Sequence, residues 1–93
     1  MAFDLISELS NDPRKYFYTA AEGVGVAWTE LACILNKSID VDVIAAEKRQ
    51  VFDRAITALH KWYCMEGTSA TTERLLQALD EIGKHNVVED ILK

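Results

Sequence analysis

The sequence contains few of the residues that break or cross-link a chain. Its 93 residues include four glycines, one proline and two cysteines, and its uninterrupted apolar runs are only a few residues long. Two cysteines are too few for the disulfide scaffold of a small secreted domain. A membrane span needs roughly 18 apolar residues, and the first residues lack the basic flank and apolar stretch of a signal peptide. These absences predict a cytoplasmic chain with no membrane insertion.

An excess of basic residues is also missing. Acidic residues outnumber basic ones by 15 to 10, which gives a net charge of −5, so a nucleic acid would be repelled and is excluded as a partner. Hydrophobic residues make up 49% of the chain and charged residues 27%, a balance typical of globular proteins. Because 93 residues can form one small core, we expect a single domain over residues 1–93.

Apolar residues recur at helical spacing along the whole chain, and no segment alternates as a β-strand would. Two N-terminal segments, Ala2–Ser10 and Arg14–Glu22, are one bent helix or two, and Gly23-Val24-Gly25 ends the second. Further helices are predicted at Ala27–Leu35, after Ser38, at about Glu47–Met65, after Thr71 and after Asn86. Polar residues that can cap these helices precede them, namely Asp12, Ser38 and Thr71, with a capping box formed by Asn86 and Glu89.

The helical pattern also predicts which side chains are buried. Placing residues every 100° puts Trp28, Ile34 and their apolar neighbours on one side of a helix, and Cys33 on the opposite side. Trp62 lies in the apolar stripe of the longest segment, whereas Cys64 lies on its polar side. We therefore predict that both tryptophans are in the core and both cysteines are exposed.

Residues suited to catalysis or metal binding do not form a recognisable site. No nucleophile is accompanied by a base and an orienting group, and no glycine-rich phosphate loop is present. His60 and Cys64 are spaced to share a metal on one helix, but a site needs three or four ligands and nothing brings Cys33 to them. We expect no enzymatic activity, no catalytic residues, no cofactor and no metal.

The order and spacing of the apolar anchors resemble the death domain. In that family the second helix opens with a tryptophan, a Leu-Ala pair and a leucine, and a second tryptophan closes the fourth helix. A glycine, a polar loop and Ala-Thr follow, then a leucine, an Ala-Leu pair and Ile-Gly. The matching residues here are Trp28, Leu31-Ala32, Leu35, Trp62, Gly67, Ala70-Thr71, Leu75, Ala78-Leu79 and Ile82-Gly83. The resemblance extends over about Val26 to Leu92.

This resemblance implies an all-α fold, a six-helix antiparallel bundle. Two regions depart from the family pattern. The link from Ile44 to Gln50 lacks the Asn, Asp or Pro that often separates the third and fourth helices, which predicts that these two helices nearly fuse. The match before Val26 is loose, and either N-terminal segment fits the family's first helix.

Charged residues divide by sign between neighbouring helices. Acidic residues lie on or beside the second and third helices, namely Glu30, Asp40, Asp42 and Glu47, and basic residues lie along the fourth, namely Lys48, Arg49, Arg54 and Lys61. Such charges can simply solvate a surface, but opposed patches can also orient two domains. The resemblance implies that these surfaces bind partners, together with the loop after the fourth helix and the start of the sixth, which contain Glu66, Lys84 and His85.

The resemblance also implies a function. Death domains of signalling adaptors and receptor tails bind other death-fold proteins in apoptotic or innate-immune pathways, and unlike faces allow self-association into a helical oligomer. We therefore expect a protein–protein interaction module whose partner is another death-fold domain. The alternative is a structural death domain of a scaffold or cytoskeletal linker, as in ankyrin-like proteins, and a more remote alternative is an unrelated helical bundle.

Overall fold

Pro13 opens the first helical turn in a computed structural model that describes residues 10–93. The Asp12 carboxylate accepts a hydrogen bond from the Arg14 amide at 3.0 Å, which confirms Asp12 as a cap. The resulting 3₁₀ turn, Pro13–Tyr16, leads directly into the first α-helix. The predicted helix Ala2–Ser10 lies outside the described residues, except for Ser10, which is not helical.

Six α-helices and no β-strands occur within residues 10–93, which confirms the all-α prediction. In chain order they are α1 (Phe17–Val24), α2 (Trp28–Leu35), α3 (Val41–Glu47), α4 (Val51–Glu66), α5 (Thr72–Glu81) and α6 (His85–Leu92). Two further 3₁₀ turns, Gly25–Ala27 and Gly67–Ser69, follow α1 and α4. The helix α4 packs against α1, α2 and α3, so it is the central element of the bundle.

Two of the predicted caps are wrong. Asp40, rather than Ser38, caps α3, because its carboxylate accepts hydrogen bonds from the amides of Asp42 and Val43, both at 3.1 Å. Ser38 instead lies in the turn after α2, where its amide donates to the Asn36 side chain. The predicted capping box does not form, because α6 already begins at His85 and no side chain caps it. The Thr71 cap is confirmed by a hydrogen bond from the Arg74 amide.

The expected near fusion of the third and fourth helices is also wrong. Lys48 and Gln50 have extended backbone conformations, so α3 ends at Glu47 and α4 begins only at Val51. The guanidinium of Arg54 donates hydrogen bonds to the carbonyls of Lys48 at 2.7 Å and Ala45 at 3.1 Å. These bonds satisfy carbonyls at the end of α3 that a continuous helix would have paired along its own axis.

Both tryptophans are buried, as predicted, with Trp28 4% exposed and Trp62 fully enclosed. The core around them draws aliphatic side chains from every helix. Ile34 departs from the prediction, because it is 40% exposed and lies at the edge of the apolar stripe of α2. The turn after α1 also differs, because Gly23 remains helical and only Gly25, at φ 54°, takes the left-handed conformation that glycine adopts without steric cost.

Candidate functional site

The predicted acidic residues are all exposed but fall into separate groups. Asp40 and Asp42 lie at the start of α3, Glu47 lies at its end, and Glu30 lies on α2. The Asp40 carboxylate is committed to capping α3. Glu47 directly precedes Lys48 and Arg49, so the α3–α4 link carries charges of both signs.

The basic residues differ in how available they are to a partner. Lys48, Arg49 and Lys61 are exposed. Arg54 is only half-exposed, and its guanidinium is bonded to the carbonyls at the end of α3. Arg54 therefore stabilises the end of α3. The pattern of charges in the sequence did not indicate this structural role.

Glu66 lies in a joint between helices rather than on an open surface. Its side chain is 15% exposed and forms an ion pair with Arg74 at 2.7 Å. The Asn36 amide nitrogen donates to its second carboxylate oxygen at 3.3 Å, and Arg74 also donates to the Leu35 carbonyl at 3.3 Å. These contacts tie the ends of α2 and α4 to α5. The adjacent Gly67 and Thr68 are exposed and border the same corner of the molecule.

Lys84 and His85 lie where α6 begins. Lys84 is half-buried, and its carbonyl accepts hydrogen bonds from the Val87 and Val88 amides. His85 is exposed, and its Nδ1 lies 2.6 Å from a carboxylate oxygen of Asp80 on α5. The pair of side chains bridges the turn between the two helices.

The structure also contains a charged cluster that the sequence did not indicate as a site. Arg14 forms an ion pair with Asp12 at 2.7 Å and lies over the ring of Tyr63, with its guanidinium carbon 4.7 Å from the ring centre. Hydrogen bonds from Arg14 lower the pKa of the Asp12 carboxyl from 3.8 to about 2. The cluster connects the first turn to α4, a connection made by residues about 50 positions apart in the sequence.

Two large apolar side chains, Tyr18 and Val26, are exposed on and just after α1. Tyr18 is 63% exposed and packs edge to face against Phe52 of α4, with ring centres 5.1 Å apart. Val26, in the turn before α2, is 81% exposed. Helical periodicity did not indicate these residues as a surface feature, because Val26 lies outside the α-helices and Tyr18 is not among the core residues of α1.

The described helices bear on two further predictions, metal binding and membrane insertion. Among residues 10–93, no three His, Cys, Asp or Glu side chains converge as metal ligands would. Cys33 and Cys64 are both exposed, as their positions on the helices predicted, and both thiols are free. Of the helices described, none is both long enough and apolar enough to cross a bilayer.

In comparison with known proteins, the chain matches a family model and is similar to a group of curated proteins. The family model for the death domain matches residues 14–93. Ankyrin-3 of mouse, rat and human is 34% identical to the chain over 70 residues, which is 73% of this chain. The matched region spans only 4%, 3% and 2% of the mouse, rat and human proteins, respectively. No solved structure matches the chain significantly.

Proposed function

Because the chain belongs to the death-domain family, whose members are protein–protein interaction modules, we propose that it acts as a single domain that binds another death-fold domain. The partner lies in an apoptotic or innate-immune pathway, and the chain is the cytoplasmic part of an adaptor or receptor. Assembly brings signalling proteins together and requires no chemistry from the domain itself.

The observation that carries this proposal is the exposed charge at the α3–α4 link. Lys48 and Arg49 are exposed in the link between two helices, and the opposite end of α3 carries the exposed carboxylate of Asp42. Opposed charges on one domain set the orientation and encounter rate of a partner with the same arrangement. A domain with unlike faces can also bind copies of itself head to tail.

Reversing the basic charge at the link tests the proposal. We expect Lys48→Glu with Arg49→Glu to weaken capture of immobilised death-fold domains by about tenfold or more, because like charges would then face each other. Raising the salt concentration should weaken capture by the unmodified chain as well, since exposed charges are screened. Capture is measured by bead-bound fraction at several protein concentrations, with helicity checked by circular dichroism.

A matched control carries the same charge change elsewhere. Lys37→Glu with Lys93→Glu replaces two exposed lysines outside the basic set, so it should bind nearly as the unmodified chain does. Equal loss of capture in both double variants, or no loss in either, would contradict a role for the α3–α4 link. Arg54 is unsuitable for this test, because its replacement would disturb the end of α3.

A second candidate function is a structural death domain within a scaffold or cytoskeletal linker. The similarity to Ankyrin-3, in which the matched region is a very small part of a long protein, favours this alternative. Light scattering over a range of protein and salt concentrations separates the two. Salt-sensitive association supports signalling, whereas a monomer at every concentration that captures no death-fold domain supports the scaffold.

A further inference from the structure

The side of α4 turned away from the core carries a depression that combines apolar area with a thiol. We call it the α4 depression; its volume is about 520 Å³, and it is lined by Ile56, Thr57, His60, Lys61, Cys64 and Met65. Met65 is 49% exposed and Ile56 is half-buried, so aliphatic area is open to a ligand. The thiol of Cys64 is exposed and free. A ligand that enters the depression therefore meets an apolar surface and a nucleophile together.

His60 provides a base one helical turn before this thiol. Residues four positions apart are neighbours on a helix surface, with Cβ atoms about 5–6 Å apart. The ring of His60 contacts Phe17 of α1 edge to face, with ring centres 5.2 Å apart, and this contact holds the imidazole at the border of the depression. Imidazole can accept a proton near neutral pH, and a neighbouring base activates a thiol for attack on an electrophile.

The charge around Cys64 differs from the charge around Cys33. Lys61 is exposed in the α4 depression, and within residues 10–93 no acidic residue lines it. Cys33 lies in a second depression, of about 420 Å³, whose charged lining residues are Glu30 and Glu81. An anionic reagent should therefore be attracted to Cys64 and repelled from Cys33.

We infer that Cys64 is a site of S-acylation by a fatty acyl thioester with an anionic carrier, of the acyl-coenzyme A type. The acyl chain lies against Met65 and Ile56, and Lys61 attracts the phosphates of the carrier. This class of ligand combines an apolar chain, an electrophilic carbonyl and negative charge, which match the three kinds of group in the depression. The inference concerns a covalent modification and does not depend on the partner that the domain binds.

The reaction exchanges one thioester for another. His60 takes the thiol proton while Sγ of Cys64 attacks the carbonyl carbon of the acyl thioester, so that a new carbon–sulfur bond forms. The bond from that carbon to the sulfur of the carrier then breaks. The carrier leaves as a free thiol after it receives the proton from His60. No atom is oxidised or reduced, and the acyl thioester is the sole co-reactant.

The test incubates the unmodified chain with octanoyl-coenzyme A at neutral pH. Acylation of each cysteine is measured over time by mass spectrometry of its peptide. We expect Cys64 to be acylated about tenfold faster than Cys33 or more, because His60 is its neighbour and general-base assistance contributes at least that much. Cys33 is an exposed free thiol in the same chain, so it is an internal control. Equal rates at the two cysteines would overturn the inference.

The length of the acyl chain tests the role of the apolar area. Octanoyl-coenzyme A should acylate Cys64 about tenfold faster than acetyl-coenzyme A, since burial of roughly two methylene groups accounts for such a preference. Met65→Gln keeps the length of the side chain but removes its apolar character, so this preference should fall. Val43→Gln changes a residue of α3 that is 45% exposed, and it should retain the preference. A preference that is absent, or that falls equally in both variants, would overturn the inference.

Two further variants test the charge and the base. Lys61→Glu should slow the reaction of Cys64 with octanoyl-coenzyme A by about tenfold, whereas Lys93→Glu, the same change at an exposed lysine after α6, should not. His60→Phe keeps an aromatic ring beside Phe17 but removes the base, so it should also slow acylation by about tenfold or more. Circular dichroism checks that each variant remains helical. Unchanged acylation of Cys64 in either Lys61→Glu or His60→Phe would overturn the inference.

Discussion

At the scale of single residues, Gly23 shows how a missing side chain sets the distance between two helices. A Cβ atom at this position would overlap Cγ2 of Val87 on α6 and stand 3.3 Å from Cγ1. Val87 is fully buried and surrounded by other core side chains, so it has little room to move. The close approach of α1 and α6 therefore depends on glycine at position 23.

We expect Gly23→Ala to destabilise the fold. Alanine in place of glycine normally stabilises a helix interior by about 0.5–1 kcal/mol, but overpacking a core costs about 1–3 kcal/mol. The cost of overpacking should exceed the gain in helix propensity, because the new methyl group would meet a buried valine rather than solvent. Urea denaturation of the variant and the unmodified chain measures the change in the free energy of unfolding.

A double variant provides the control for this prediction. Val87→Ala opens space opposite position 23, so Gly23→Ala should cost less in that background, with a coupling of about 0.5–3 kcal/mol. Simple addition of the two single costs would show that the glycine is not required by Val87.

At the scale of elements, α3 depends on its ends more than on its packing. It has 7 residues, and Ile44 is its only fully buried side chain. Asp40 caps its first turn, and Arg54 of α4 bonds to carbonyls at its last turn. The helix is therefore held by hydrogen bonds at both ends and by Ile44, with Val41 and Ala45 only partly buried beside it.

We predict that Arg54→Gln loosens α3 without unfolding the bundle. The loss of two hydrogen bonds from a charged donor should cost about 1–2 kcal/mol, most of it local to the end of α3. Hydrogen exchange should accelerate at the Lys48 amide, which donates to the Ile44 carbonyl, and remain unchanged in α5. Lys61→Gln, on the same helix, should leave exchange in α3 unaffected. Uniform acceleration in every helix would instead indicate global destabilisation.

Local patterns predicted the elements well where short-range contacts decide them. Apolar periodicity located α2, α5 and α6, and the caps at Asp12 and Thr71 follow from polar side chains just before a helical run. The break between α3 and α4 could not be predicted in this way. Arg54 lies nine residues after Ala45, and its bonds to the carbonyls form only when the chain has already turned.

At the scale of the whole molecule, the bundle depends on its hydrophobic core. Trp62 of α4 is a buried member of this core, and the other core side chains come from several helices. We predict that Trp62→Ala costs about 3–5 kcal/mol, a large part of the roughly 5–15 kcal/mol that stabilises a typical domain. Circular dichroism during urea denaturation should show a much lower midpoint. Trp62→Phe should cost less, because within residues 10–93 the indole nitrogen of Trp62 has no hydrogen-bond partner to lose. Similar midpoints for the alanine variant and the unmodified chain would contradict the central role of Trp62.

The candidate surfaces were predictable only in part. The sign of the charges follows from the residue types, and the exposure of Asp42 follows from its place in the first turn of α3. Lys48 was expected along the fourth helix and instead lies exposed in the extended link before it. The sequence did not indicate the internal contacts of Glu66, whose partner Asn36 is 30 residues away. The depression lined by Ile34 and Ile82 was missed for the same reason, because these residues come together only when α2 and α5 pack.

The burial of both indole rings also determines what tryptophan fluorescence can measure in this protein. Trp28 and Trp62 are shielded from water, so their fluorescence should be blue-shifted in the folded chain and shift to the red when it unfolds. Neither ring is exposed at the α3–α4 link, so partner binding there should leave the emission nearly constant. Loss of structure and loss of binding can thus be distinguished in one unlabelled sample.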